Sequence, residues 1–159
     1  MKLLVFSDSH SHYEKIAEAI SIQKTPCDAV VFLGDGLRDI EKIKEKIYPT
    51  PVFSVKGNCD FLAGDTEEER LLSLEGVKIF ITHGHLYGAK SGYGRLLYRA
   101  RELEADLVLF GHTHCPLDYV YEISDKKIRL FNPGSIGHSG TFGVINICGN
   151  VVVSSCGKI

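Results

Sequence analysis

With 159 residues, 44% of them apolar, the chain is long enough for one real core and too short for two comfortable ones, so a single domain over residues 1–159 is expected. A formal charge of −2 excludes a broad basic surface for nucleic acid and leaves any anionic partner to a local feature. Five scattered cysteines with no Cys-x-x-Cys pair argue against a disulfide framework or a thiolate zinc knot, and no stretch approaches the ~20 apolar residues that cross a bilayer, so a cytoplasmic protein without a membrane partner is expected.

Lys2 to Ser7 is an apolar run too short for a signal-peptide core and predicts a buried strand. Tyr13 to Gln23 sets Ile16, Ala17 and Ile20 at helical spacing, with Ser11 as N-cap and Glu14 as its capping-box partner. Pro26 closes that region, and Ala29 to Leu33 is a second strand ended by Gly34-Asp35-Gly36. Asp39 to Ile47 is a charged helix with Ile40, Ile43 and Ile47 on one stripe, after which Pro49 and Pro51 lead into a strand over Val52 to Val55. This βαβαβ order of fully apolar strands predicts a mostly parallel sheet covered on both faces.

Gly57 to Arg70 reads as a loop, and Leu71 to Leu74 and Val77 to Ile81 flank the turn pair Glu75-Gly76 of a hairpin. Ser91 to Glu104 carries Leu96, Leu97, Ala100 and Leu103 at helical spacing, and Leu107 to Phe110 is another buried strand. From Tyr119 onward only strands are predicted: Val120 to Ser124, Ile128 to Phe131, Phe142 to Ile147 and Val151 to Ser154, with turns at Asp125-Lys126 and Gly149-Asn150. A β-rich tail on an α/β start suggests two sheets packed face to face with helices outside.

Polar residues gather behind these strands. Asp8 and His10 follow the first, Asp35 the second, Asn58 the third, His83 and His85 the run ending at Ile81, and His112 and His114 the run ending at Phe110. Taken singly, Asp-x-His, Gly-Asp-Gly and Gly-Asn are ordinary turns. Together they are metal-ligand types at the carboxyl ends of strands, where open α/β sheets bind ligands. An extended His-x-His turns both rings to one side, so each can serve a neighbouring ion, and Asp35, alone in its loop, suits a bridge. Oxygen and imidazole donors suit Mn, Fe(II), Zn, Co or Ni and do not choose among them. Two divalent ions with Asp8 and Asp35 leave a charge of about +2, which attracts an anion and favours phosphoester hydrolysis.

The ordered set Asp8-Ser9-His10, Gly34-Asp35, Gly57-Asn58-Cys59-Asp60, Thr82-His83-Gly84-His85 and Gly111-His112-Thr113-His114 closely resembles the calcineurin-like metallophosphoesterase superfamily. The short length, Gly-Asn-Cys-Asp and Asn132-Pro133-Gly134-Ser135 resemble its small YfcE-type phosphodiesterase branch. The resemblance implies an α/β fold: a four-layer α/β/β/α sandwich of two mixed sheets flanked by helices. It implies two divalent ions, manganese foremost with Ni, Fe, Co or Zn as alternatives. Asp8, His10 and His114 would hold one ion and Asn58, His83 and His112 the other, with Asp35 bridging. Asp35, Asn58, Cys59 and His83 are thereby expected at the catalytic centre, with His85 and Asp60 beside it.

Better-known phosphatases of this superfamily carry a His after the Asn, where this chain has Cys59, either a proton donor or a small space-filler. The implied function is hydrolysis of a small phosphodiester by attack of a metal-bound hydroxide, with preference for good leaving groups. A phosphomonoesterase is the second reading, and a retromer-subunit-like protein-binding scaffold, for which the superfamily has precedent, is the third. A homo-oligomer is compatible with either. Arg38 is a phosphate contact or a surface residue at a helix start. His12 and His138 are expected on the plain surface, Tyr98 in the core, and Tyr87 and Tyr93 lining a substrate pocket.

Overall fold

The computed structural model describes residues 1–61, 64–123 and 125–159; residues 62–63 of the expected loop and Ser124 of the expected strand lie outside them. The first half runs β1 (Lys2–Phe6), α1 (Tyr13–Ser21), β2 (Ala29–Phe32), α2 (Leu37–Ile47) and β3 (Val52–Ser54). There follow β4 (Glu69–Leu74), β5 (Val77–Thr82), a 3-10 turn (His85–Tyr87), α3 (Gly94–Glu102), β6 (Leu107–Leu109) and β7 (Leu117–Ile123). The chain ends with β8 (Lys126–Asn132), α4 (Ile136–Ser139), β9 (Thr141–Cys148) and β10 (Val151–Lys158).

Among the described residues these strands form two five-stranded sheets, ordered β10-β9-β1-β2-β3 and β4-β5-β6-β8-β7. In each sheet three neighbours run parallel, β1, β2 and β3 in one and β5, β6 and β8 in the other. The remaining strands are antiparallel, so both sheets are mixed.

Period-two alternation divides each strand between two layers. Leu3, Val5, Ala29 and Val31 meet Ile79, Ile81, Leu107, Leu109 and Phe131 between the sheets. Their neighbours Leu4, Phe6, Val30 and Phe32 face outward onto Ile16, Ala19, Ile40 and Ile43 of α1 and α2. Phe80, Val108 and Leu130 face the other way, onto Leu96, Leu97 and Ala100 of α3. The result is the expected four-layer sandwich, in which each fully buried Leu, Ile, Val or Phe contributes about 1.5–3 kcal/mol. No helix among the described residues is long and apolar enough to cross a membrane.

Several local expectations are corrected. Ser11 does not cap α1: its φ is 73° and its backbone N–H donates to Asp39 Oδ2 at 2.8 Å, leaving His12 before the helix without a side-chain cap bond. Tyr98 is 68% exposed, because it falls off the stripe formed by Leu96, Leu97 and Ala100. Tyr87 and Tyr93 pack edge-on against Phe80 and Phe110, with centroids 5.8 and 5.4 Å apart, so they extend the outer core, with Tyr87 also bordering a groove beside Tyr98 and Arg99. The turn over Asn132 to Ser135 continues into α4, started by Ser135 Oγ accepting from the His138 N–H at 3.0 Å. Strand β10 extends four residues past the expected Ser154, because β9 pairs with it along its length and register compensates for a weak apolar pattern.

Candidate metal centre

Parallel strands deliver their following loops to one edge, and backbone bonds tie those loops together. Asp8 N–H donates to Gly34 O at 3.0 Å, His10 N–H to Asp35 O at 3.1 Å, and Gly111 N–H to His83 O at 3.1 Å. The side chains consequently converge. His83 Nε2 lies 3.4 Å from Asp35 Oδ2 and 3.9 Å from Asp8 Oδ1. From the other side, His114 Nε2 lies 3.1 Å and His10 Nε2 3.9 Å from the same Asp8 oxygen, and the two nitrogens are 3.5 Å apart. The His112 ring stands 5.0 Å from that of His83, and Asp35, His83 and His112 offer ligand atoms within 4.8 Å of one another.

This convergence requires unusual backbone. Asp8, His10, Asp35, His112 and His114 all have φ between 45° and 67°, the left-handed region, where Asp and His are tolerated better than most residues. Neighbouring groups hold them there. Asp60 accepts from four backbone N–H groups: Asp35 (2.7 Å) and Gly57 (2.8 Å) at Oδ2, Gly36 and Leu37 (both 2.9 Å) at Oδ1. Buried Asp39 accepts from Ser9 Oγ at 2.6 Å and the Ser11 N–H, fixing the loop that carries His10. Asn132 donates to Gly111 O at 2.9 Å and Thr113 Oγ1 at 3.1 Å, bracing the loop of His112 and His114. Gly57 is obligatory, since an added Cβ would lie 2.1 Å from Asp35 Oδ1. Asp39 was not expected here from sequence, since a helix-start Asp carries no signal of what it holds. The turn over Asn132 to Ser135 was expected either to shape the site through its backbone amides or simply to reverse the chain, and it is the Asn132 side chain that braces the site.

The electrostatics follow from burial among like donors. His83, fully buried, sits with Nδ1 2.6 Å from Leu33 O. A carbonyl only accepts, so Nδ1 carries the proton and Nε2 faces the two carboxylates. Burial alone would push the Asp35 carboxyl up; His83 and the Cys59 N–H outweigh it and hold Asp35 well below the usual carboxylate range. Burial would likewise lower His83, but Asp35 and Asp8 raise it, while burial and the charge on His83 push His112 down to about 4. Asp8 Oδ1 and His83 Nε2 are buried without a hydrogen-bond partner, despite facing one another, so the His83–carboxylate contacts act through charge rather than an aligned bond. Buried polar atoms are ordinarily satisfied. Two carboxylates and four imidazoles brought together, with Asp8 Oδ1 and His83 Nε2 left without a hydrogen bond, fit divalent cations of the borderline class.

The remaining expected residues form the rim. Asn58 is exposed, with its Nδ2 3.3 Å from Cys59 Sγ; among the described residues no hydrogen bond joins it to His83 or His112. Cys59 is exposed, donates its N–H to Asp35 Oδ1 at 2.7 Å, and has a thiol pushed up to about 11 by burial and by the Asp35, Asp60 and Asp8 charges. His85, with its ring 5.4 Å from His83 and Nδ1 buried without a partner, adjoins the cluster. A groove of ≈ 630 Å³ opens beside it, lined by His10, Asp35, Cys59, Phe61 and exposed Arg38. His138 is exposed, as expected, yet it also belongs to this edge, since its ring lies 5.1 Å from His114 and 5.3 Å from His10.

Comparison with known proteins agrees with this geometry. Residues 1–150 match the model of the calcineurin-like phosphoesterase superfamily domain. Probable metallophosphoesterase YsnB of Bacillus subtilis is 39% identical over 136 residues, spanning 86% of this chain and 75% of that protein. Phosphodiesterase YfcE of Escherichia coli K12 is 26% identical over 92% of this chain and 88% of its own. The crystal structure of a predicted phosphoesterase from Streptococcus pneumoniae superposes with a TM-score of 0.81 at 30% identity, covering 99% of this chain and 88% of that one. Vps29 from Entamoeba histolytica, solved with zinc, shares the fold at 20% identity, a TM-score of 0.76 and coverage of 100% and 98%. With candidate metal-ligand residues gathered at the strand ends of a four-layer sandwich, the chain belongs to the calcineurin-like phosphoesterase superfamily and is a metal-dependent phosphoesterase.

Proposed function

We propose that this phosphoesterase is a dinuclear phosphodiesterase acting on a small diester. The observation that carries the reading is the facing of Asp8 Oδ1 and His83 Nε2, both buried and both without a hydrogen bond, between Asp35 and the imidazoles of His10, His112 and His114. Asp8, His10 and His114 would hold one ion and Asn58, His83 and His112 the second, with Asp35 shared. When bound, two such ions neutralise phosphoryl charge and make water acidic enough to supply a nucleophile near neutral pH. The chain's own residues set the rest. His83 is held in one tautomer by Leu33 O, Asp60 fixes the loop of Asp35, and Arg38 faces the groove where a non-reacting ester arm would lie.

Cys59 favours esters with good leaving groups in either the diester or the monoester reading. Its thiol, pushed up to about 11 beside Asp35, is a poor donor to a departing alkoxide at neutral pH. Manganese is the ion to add first, and the proposal keeps the cytoplasmic setting read from the scattered cysteines.

The test is elemental analysis paired with hydrolysis of bis-p-nitrophenyl phosphate and of p-nitrophenyl phosphate, before and after chelation, with Mn(II) restored. Diester cleavage that exceeds monoester cleavage, stops on chelation and returns with Mn(II) supports the proposal. A protein that binds no metal and cuts neither ester overturns it and leaves the scaffold reading, with which the Vps29-like fold is compatible.

A further inference from the structure

We propose that His138 is an additional metal ligand, joining Asp8, His10, Asp35 and His114, so that the two metal positions of this chain are chemically unequal. The inference rests on the dinuclear reading above and adds a residue to it. One ring nitrogen each of His10, His114 and His138 lies within 4.8 Å of the others. The His10 and His114 nitrogens are 3.5 Å apart, within the roughly 3.0–3.6 Å that separates neighbouring corners around one ion with four or five donors on ~2.1 Å bonds. His138 closes the third corner, its ring stacked on His114 at 27°.

The placement is built, not incidental. Helix α4 is bonded directly to the loop that supplies Asp8 and His10: Ile136 N–H donates to Ser7 O at 3.1 Å, Gly137 N–H to Asp8 O at 3.1 Å, and Ser135 Oγ to Asp8 O at 2.8 Å. The approach is so close that a Cβ at Gly137 would meet Ser9 O at 2.4 Å and Asp8 O at 2.9 Å. Lys15 reaches across from α1 to Gly137 O at 2.5 Å. An otherwise exposed histidine is thus carried to the candidate ligands by a backbone contact that admits only glycine at the preceding residue.

The consequence is a division of labour. One position would offer three imidazoles with Asp8 and the shared Asp35; the other offers His83, His112, Asn58 and the same Asp35. A third nitrogen donor strengthens the first position toward Zn(II), Co(II) and Ni(II) relative to Mn(II).

The test is metal binding by the full chain, stripped with chelator and titrated with Co(II), followed by calorimetry and by the visible absorption of the bound ion. The wild type is expected to bind two ions with separable affinities. His138→Ala should weaken one event at least about tenfold and alter its Co(II) spectrum, leaving the other within about twofold. His138→Gln repeats the measurement with a side chain better suited to a helix, and circular dichroism checks that both variants fold. Affinities and spectra unchanged in either folded variant, or both events weakened alike, overturn the proposal and leave the dinuclear reading standing. A wild type that takes up no second ion overturns both.

Discussion

Val5 and Asp8 stand three residues apart and are both fully buried, yet Val5 lies within β1 and Asp8 in the loop that follows it. Val5 lies between the sheets among Leu3, Ile79, Leu107 and Phe131, in regular strand geometry and with nothing polar to satisfy. Asp8 carries a carboxylate with φ of 55°, one oxygen accepting from Ser7 Oγ at 2.5 Å and the other without a hydrogen bond. Five candidate ligands share that left-handed backbone. Such conformations cost on the order of 1 kcal/mol each and persist only where their surroundings impose them. The interlayer core supplies that stability, and the strand-end edge uses it to hold Asp8 Oδ1 and His83 Nε2 buried without a hydrogen bond. The two regions are therefore expected to respond to mutation in opposite ways.

The largest effect belongs to the edge. Asp35→Ala should lower kcat/KM for bis-p-nitrophenyl phosphate by about 10³-fold or more while the melting temperature stays within a few degrees, since the change removes chemistry and no apolar packing. A variant that unfolds instead would show that the edge also holds the fold together, and would erase the contrast. In the core the expectation reverses. Leu107→Ala, between the sheets, should cost about 2–5 kcal/mol in denaturant unfolding, with kcat/KM of the folded protein within about twofold. Asp60→Asn is the intermediate case. An amide in place of the carboxylate sets N–H against N–H at one pair of its four donors, so metal affinity by calorimetry should fall about 10- to 100-fold with little change in unfolding.

Legibility in the sequence follows the same division. The sandwich was readable because strands such as Leu3-Leu4-Val5-Phe6 are apolar on both faces, which only a doubly covered sheet accommodates. Asp8, His10, Asp35, His83, His112 and His114 were readable because each follows such a strand and strand ends meet at one edge. His138 was not, because a four-residue helix has no periodicity and its approach depends on a tertiary contact between Gly137 and Ser9. Asp39 was misread as an ordinary helix start and Ser11 as a cap for a related reason: the carboxylate takes the Ser11 N–H, and that bond joins the start of α2 to the loop ahead of α1. Tyr98 was misplaced by proximity to an apolar stripe it does not share.

The smallest effect lies where β4 meets α3. Glu69 of β4 accepts from Arg99 of α3 at 2.7 Å and from the Tyr87 hydroxyl, tying strand, turn and helix together. Burial alone would raise its carboxyl, but Tyr87 and Arg99 outweigh that and hold it below its ordinary value; burial and Glu69 push Tyr87 up to about 12. A depressed carboxyl stabilises the fold fully above its unfolded pKa, near ~4.3, and loses that contribution as the pH falls through its lower folded value. Because the ion pair is about a third exposed, solvent screens it. Glu69→Gln should therefore cost less than about 1 kcal/mol at pH 7, and the difference from wild type should shrink steadily below pH ~4 in urea unfolding. Activity should not change. A difference that stays constant with pH would mean that Glu69 acts through shape rather than charge, and that the outer layer, like the interlayer core, is held by packing alone.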